Sequence, residues 1–467
     1  MKTLPEAYKK RMETQLGAEY DAFISTYELP PVRGLRINTL KISKDRFIEL
    51  CPWKTEQSAT LDEGLILRDE VSHIGSHPFH IAGLFYVQEP SAMSVIEAAE
   101  VEPGMRVLDL CAAPGGKSGG IAARLGGNGF LLSNEIVPSR AKQLARNLER
   151  LGVVNAAVTS AHPEAIADTL PRYFDRVIVD APCSGEGMFR KDDTAIAEWS
   201  PEHVVSCAAR QKAILESAEK CVAAGGKIIY STCTFSPEEN EGVIGAFLSD
   251  HPEYSLERSY RLYPHTCAGE GHFAATLVNN GDDPVSAFLI KKTRNDKGFG
   301  KPAAVEPLSG ASAKLASVFL SEALNDTHAV IDRLFCTPAR GTQRLIFCPF
   351  ELPANLLLLP IVSLGVDIGE FSGSRLKPSH TFFMAAHGMN YRNRIELLES
   401  SRELSAFLRG ETLVPQGEPD IAGEYSRYMP VCVRSFPIGF GKLSDGTVKN
   451  HLPKGLLNSG LGAAFDE

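Results

Sequence analysis

The chain has 467 residues, 43% hydrophobic and 22% charged, which suits two to four folded domains and excludes a disordered or fibrous protein. No apolar run reaches the roughly 18 residues of a membrane span, and Met1–Leu16 lacks a signal peptide's apolar stretch. Ten cysteines without that signal point to a reducing, cytoplasmic setting, while 48 basic against 57 acidic residues, a net charge of −9, argue at face value against a nucleic-acid partner.

In chain order, residues 1–98 hold a basic strand, Arg33-Gly34-Leu35-Arg36-Ile37-Asn38-Thr39-Leu40-Lys41, and three histidines, His73, His77 and His80. The trio has no acidic or cysteine companion and reads as a surface loop. No two cysteines have zinc-ribbon spacing either, so no metal is expected. Residues 99–293 alternate strands and helices. Strands are predicted at Arg106–Leu110, Phe130–Ser133, Ala157–Thr159, Arg176–Val179 and Lys227–Tyr230. Helices are predicted up to Leu125, over Val137–Leu151 and over Pro201–Ala224, the last with Ser200 as N-cap. This pattern predicts a parallel, doubly wound, Rossmann-like α/β sheet that binds ligands at the carboxyl ends of its strands. A Gly/Pro/Ala/Ser-rich linker spans 294–314. An extension, 315–392, and a β-rich segment, 393–467, follow. In the latter, Arg427, Arg434, Lys442, Lys449 and Lys454 oppose only Asp445 and interleave with Tyr425, Tyr428, Phe436 and Phe440. Phosphate contacts plus stacking aromatics are what single-stranded RNA requires.

Four strand-end loops hold the chemistry. The first is Asp109-Leu110-Cys111-Ala112-Ala113-Pro114-Gly115-Gly116-Lys117-Ser118, whose small residues let backbone approach a ligand. The second, Asn134-Glu135-Ile136, offers a carboxylate to a ribose diol. The third, Asp180-Ala181-Pro182-Cys183-Ser184-Gly185-Glu186-Gly187, sets a carboxylate beside a thiol, and the fourth, Ser231-Thr232-Cys233-Thr234, adds a second thiol. Cys207, Cys221 and Cys348 read as small buried apolar residues. Met188–Asp193 reads as a mobile segment on the RNA side, with Arg190 and Lys191 as a basic pair.

These loops resemble the signature motifs of the Sun-type RNA (cytosine-5) methyltransferases, in the family's order. Gly83–Met93 resembles the lead-in to that family's catalytic core, and Arg33–Lys41 its N-terminal basic strand, where Arg33, Arg36 and Lys41 are candidate RNA contacts. Ile438–Lys442 and Lys449–Gly455 resemble the extension of its RsmF-like ribosomal RNA branch, which carries a PUA-like RNA-binding module. The resemblance implies a class I methyltransferase core between an N-terminal α+β RNA-binding domain and a C-terminal α+β, PUA-like extension. It implies S-adenosylmethionine as cofactor, 16S ribosomal RNA or the small subunit as partner, neither DNA nor membrane, and a monomer.

Carbon 5 of cytosine is a poor nucleophile until a thiolate adds to carbon 6. By resemblance Cys233 is that nucleophile and Cys183 assists release. Chemistry alone does not rank them, because a Pro-Cys thiol is the nucleophile in DNA cytosine-5 methyltransferases. Asp180 is the partner of the base, and Lys117 is a cation that favours the thiolate. The cofactor is expected on Cys111, Ala112, Ala113, Pro114, Gly115, Gly116, Lys117, Glu135, Arg140 and Asp180. His162 stands where the family carries an Asp for adenine. Transfer RNA methylation, or a non-catalytic ribosome-assembly factor on the same scaffold, are the alternatives.

Overall fold

Helix Glu6–Leu16 opens the chain and buries Tyr8 and Met12 against Phe189, Trp199 and Phe235, so the N-terminus packs on loops that follow the later core strands. The computed structural model describes residues 3–281, 305–308, 310–339, 342–385, 390–415, 417 and 419–457. An antiparallel sheet comes next: β1 (Gly34–Ile37), β2 (Thr55–Gln57), β3 (Gly64–Leu67) and β4 (Phe85–Gln88), in the order β2-β3-β1-β4.

The core sheet contains β5 (Arg106–Asp109), β6 (Phe130–Asn134), β7 (Ala156–Thr159), β8 (Phe174–Asp180), β9 (Val222–Thr232), β10 (Tyr254–Leu262) and β11 (His272–Asn279). Its order is β10-β11-β9-β8-β5-β6-β7. Strands β5 to β9 are parallel, as the alternation predicts, and the order reverses between β5 and β8, the position of the ligand crevice in sheets of this kind. The sheet is nonetheless mixed, because β10 and β11 run antiparallel to their neighbours at one edge.

The long helix is Pro201–Cys221, with the Ser200 side chain accepting from the His203 N–H. It ends three residues before the predicted Ala224. Val222 is already extended and begins β9.

After residue 304 the chain forms β12 (Glu306–Pro307), β13 (Leu334–Ala339), β14 (Thr342–Phe347), β15 (Ile361–Leu364), β16 (Val366–Ser372) and β17 (Arg375–Pro378). Five of these make the sheet β12-β13-β14-β16-β17, while β15 leaves it to pair antiparallel with β7 and closes the second edge of the core sheet. Most of the predicted linker lies outside the described residues. Its last residues are already in helix Gly310–Ala323, which buries Ala316, Phe319 and Leu320.

The last sheet holds β18 (Ile395–Leu397), β19 (Tyr428–Val433), β20 (Phe436–Ser444) and β21 (Thr447–Asn450). Its Met429, Val431, Val433 and Ile438 share one apolar cluster with Leu35, Ile37, Phe47 and Phe85, so the first and last sheets are packed on each other.

Candidate active site

On one side of the crevice, Gly115 adopts φ 110° to start helix Gly116–Leu125. A Cβ there would lie 3.0 Å from Leu144 Cδ1, so glycine is needed for both conformation and space. Buried Asn134 ties three strand-end loops together. Its Nδ2 donates to the carbonyls of Leu110 (3.2 Å) and Ala161 (3.0 Å), and its Oδ1 accepts from Thr159 Oγ1 (2.9 Å) and the Ala161 N–H (3.0 Å).

Glu135 is buried at the end of β6 and accepts from the Val137 N–H at 2.9 Å. Arg140 lies 3.3 Å from its carboxylate and donates to the Ala113 carbonyl at 3.1 Å. The arginine therefore links Glu135 to the loop of Cys111, Ala112, Ala113 and Pro114. Burial pushes the Cys111 thiol up, away from thiolate chemistry. His162, at the end of β7, is the exposed N-cap residue of helix Pro163–Thr169.

The other side of the crevice holds a cation, a carboxylate and two thiols. Lys117 Nζ donates to Asp180 Oδ2 at 2.6 Å, and Ser231 Oγ donates to Asp180 Oδ1 at 2.8 Å. Cys183 Sγ and Cys233 Sγ lie 3.3 Å apart, both as free thiols. Burial works against the charged forms of Lys117 and Asp180. Their mutual attraction outweighs it, raising the Lys117 ammonium and holding the Asp180 carboxyl below its ordinary range. The contact with Cys233, with burial added, pushes the Cys183 thiol well up.

A buried network fixes this spacing. Fully buried Glu239 accepts from the Ser184 N–H (2.9 Å), Ser184 Oγ (2.5 Å) and Gln211 Nε2 (2.8 Å), while Gln211 also donates to the Pro182 carbonyl. Glu186 accepts from the Phe235 N–H and from Trp199 Nε1. The Gly187 N–H donates to the Cys233 carbonyl at 2.7 Å, and a Cβ at Gly187 would come within 2.8 Å of that oxygen. The two cysteine loops approach this closely only because residue 187 is glycine. Sequence alone assigns no role of its own to Ser231, inside the fourth loop, or to Glu239, just after it, because their partners come from other strands and loops.

Several residues assigned to RNA from sequence have other partners. Arg36 is fully buried on β1, where its Nε donates to Gln88 Oε1 (3.0 Å) and its guanidinium faces the Tyr86 ring. Lys41 Nζ donates to the carbonyls of Ala82 and Arg150, and burial lowers its pKa to about 7. The segment Met188–Asp193 is anchored. Phe189 is fully buried, and Arg190 makes a 2.6 Å ion pair with buried Glu270. In the last sheet, Arg434 pairs with Glu399 and Lys442 with Glu424, while Tyr425 and Phe440 are buried. Arg33, Lys449 and Lys454 retain accessible side chains. His77 caps helix Pro78–Ile81 and packs edge-on against Trp53, and His80 bonds the Gly75 carbonyl.

Comparison with known proteins gives three family matches along the chain. The N-terminal domain of 16S rRNA methyltransferase RsmF matches residues 4–90, 16S rRNA methyltransferase RsmB/F matches 96–278, and the methyltransferase RsmF PUA domain matches 392–458. Ribosomal RNA small subunit methyltransferase F of Erwinia tasmaniensis is 32% identical over 486 residues, covering 98% of this chain and 97% of that protein. The same-named protein of Serratia proteamaculans is 31% identical over 485 residues, again covering 98% and 97%. Among solved structures, a methyltransferase homolog protein from Pyrococcus horikoshii covers 59% of this chain and 95% of its own, with 28% identity and a TM-score of 0.53. NSun6 from Pyrococcus horikoshii with SFG covers 60% and 99%, with 22% identity and a TM-score of 0.54, a likeness of fold.

Proposed function

Because the chain belongs to the RsmF family of 16S ribosomal RNA methyltransferases, we propose that it methylates carbon 5 of a cytosine in 16S ribosomal RNA through a covalent Cys233 adduct. The observation that carries this reading is the pair of thiols 3.3 Å apart beside the Lys117–Asp180 ion pair. A single nucleophile needs no second thiol at its side, whereas formation and release of an adduct employ both.

The crevice fits S-adenosylmethionine, whose sulfonium and ammonium groups are cationic. Two carboxylates, Glu135 and Asp180, follow or end the strands on either side of β5. Glu135 is held by the Val137 N–H and by Arg140, with acceptor capacity left for a vicinal diol. The loop from Cys111 to Gly116 adjoins Glu135 through Arg140. Bound there, the cofactor supplies an electrophilic methyl group.

The chain's own residues do the rest. Lys117 stabilises negative charge at the reacting thiol. The Cys233 sulfur adds to carbon 6, its proton ends on ring nitrogen 3, and Asp180 accepts a hydrogen bond from that N–H. Carbon 5 becomes nucleophilic as a result. After methylation the carbon 5 proton leaves to a base, the double bond between carbons 5 and 6 reforms as carbon 6 expels the Cys233 thiolate, the Cys183 thiol protonates that thiolate, and the proton held on ring nitrogen 3 passes to the Cys183 sulfur. A cytosine inside a duplex cannot reach this site, so the substrate base is unpaired or flipped.

The division into 1–98, 99–293, 315–392 and 393–467 is proposed along with this function. Bisulfite mapping of 16S ribosomal RNA and transfer RNA, from cells with and without the protein, tests the substrate. Loss of one 5-methylcytosine from 16S RNA supports the proposal, and loss confined to transfer RNA overturns it.

A further inference from the structure

His272 is the first residue of β11, and its side chain is 2% exposed. In the β9–β11 register Ala274 faces Ser231, and in the β8–β9 register Ser231 faces Asp180. Residues two apart on a strand share a face, so His272 lies on the sheet face that carries Ser231 and Asp180. Its Nε2 is 3.7 Å from Asp180 Oδ1, beyond hydrogen-bond length, and neither ring nitrogen has a hydrogen-bond partner among the described residues. Around it, Asp180 is occupied by Lys117 and Ser231, and the backbone before it is pinned. The Glu270 N–H donates to Glu89 Oε1 and the Gly271 N–H to Ser91 Oγ. A buried imidazole with neither nitrogen bonded disfavours folding, so a use for the ring in the bound state is indicated. Burial also lowers its pKa to about 4, so the ring is neutral and carries one N–H.

We propose that His272 is a positioning residue whose Nε2–H closes onto Asp180 Oδ1 when the target pyrimidine docks, fixing the carboxylate in the orientation that meets the base. This rests on the reading of Asp180 as the base-binding group. A short movement of the ring converts the 3.7 Å approach into a bond. The gain is selective for the bound state, because in the free site Ser231 and Lys117 already hold the carboxylate.

The experiment compares His272→Leu and His272→Gln in the full chain, with Asp180→Asn as control, using kcat, KM for RNA and Tm. Losing one hydrogen bond to a charged group lowers kcat by roughly 10- to 100-fold in His272→Leu. KM for RNA stays within roughly twofold. The Tm is unchanged or higher, since an unpaired buried ring is gone, and His272→Gln, which keeps an N–H donor, recovers most of the rate. Unchanged kcat in His272→Leu, a fall in Tm that accompanies the loss of activity, or a Gln variant no better than Leu overturns the proposal. A raised KM with kcat intact also overturns it, in favour of direct contact with the base. Full activity in Asp180→Asn sinks the underlying reading instead, which separates the two failures.

Discussion

At the carboxyl edge of the core sheet, Lys117 and Asp180 form a 2.6 Å ion pair beside two thiols; in the last sheet, Lys442 and Glu424 form one of 2.7 Å beside Tyr428. The residue types and distances match, but the surroundings do not. Lys117 and Asp180 are 11% and 32% exposed, whereas Lys442 and Glu424 are 24% and 49% exposed. Water screens the second pair, which contributes about 0–1 kcal/mol. The first pair sits in a crevice walled by β5, β8 and β9, where charge shifts the protonation of its neighbours. A paired cation therefore indicates function only where the pair stands beside reactive groups at the ligand edge of the sheet.

The sharpest way to break this comparison is Lys117→Met. Without the ammonium, burial drives the Asp180 carboxyl upward. An acid whose pKa is held low is ionised above that value and lost as pH falls through it, so the variant loses activity at a higher pH than the parent. A pH–rate profile is expected to show its acid limb displaced upward, with kcat/KM lower by about 10²–10³-fold.

Arg36→Ala tests the opposite side, a cation that looked like an RNA contact and is built into β1. It is expected to lower stability by about 2–5 kcal/mol through the cavity it leaves. The salt dependence of RNA binding should not change. A reduced salt slope at intact stability would return Arg36 to the RNA surface.

Asp109 distinguishes burial from pairing. Burial lifts its carboxyl from an ordinary 3.8 to about 7. The folded state then holds the proton more tightly than the unfolded chain, so the contribution is complete at low pH and is lost as pH rises between those two values. Asp109→Asn should flatten the decline of Tm over that window, by roughly a few degrees at its upper end.

The smallest expected effects come from the exposed cations. Lys449→Gln with Lys454→Gln should weaken RNA binding and reduce the salt slope by about 1 for each phosphate that is no longer neutralised, with Tm unchanged. Arg434→Ala, which removes a cation paired with Glu399, should change RNA binding less than either.

The core strands, their helices and the four ligand-side loops were legible because strand alternation and Pro/Gly loops are local signals. Lys117, Asp180, Cys183 and Cys233 come from three separate loops, and the parallel sheet brings them together. What was not legible depends on distant contacts. β15 leaves its own sheet for the edge at β7 because a pairing partner is free there. Arg36 is buried because its face of β1 packs on helix Gly116–Leu125 and β4, and Lys41 because it is held by the Ala82 and Arg150 carbonyls. Glu239, Ser231 and His272 gain meaning only from groups on other strands, which no local pattern encodes.

The central claim is that Cys233 bonds to the base and Cys183 releases it. The direct measurement is Cys183→Ala incubated with S-adenosylmethionine and 16S ribosomal RNA, followed by denaturing electrophoresis and peptide mapping. The account predicts a stable protein–RNA adduct through Cys233 that disappears in Cys183→Ala/Cys233→Ala. Normal turnover by Cys233→Ala, or an adduct mapped to Cys183 in that variant, contradicts it.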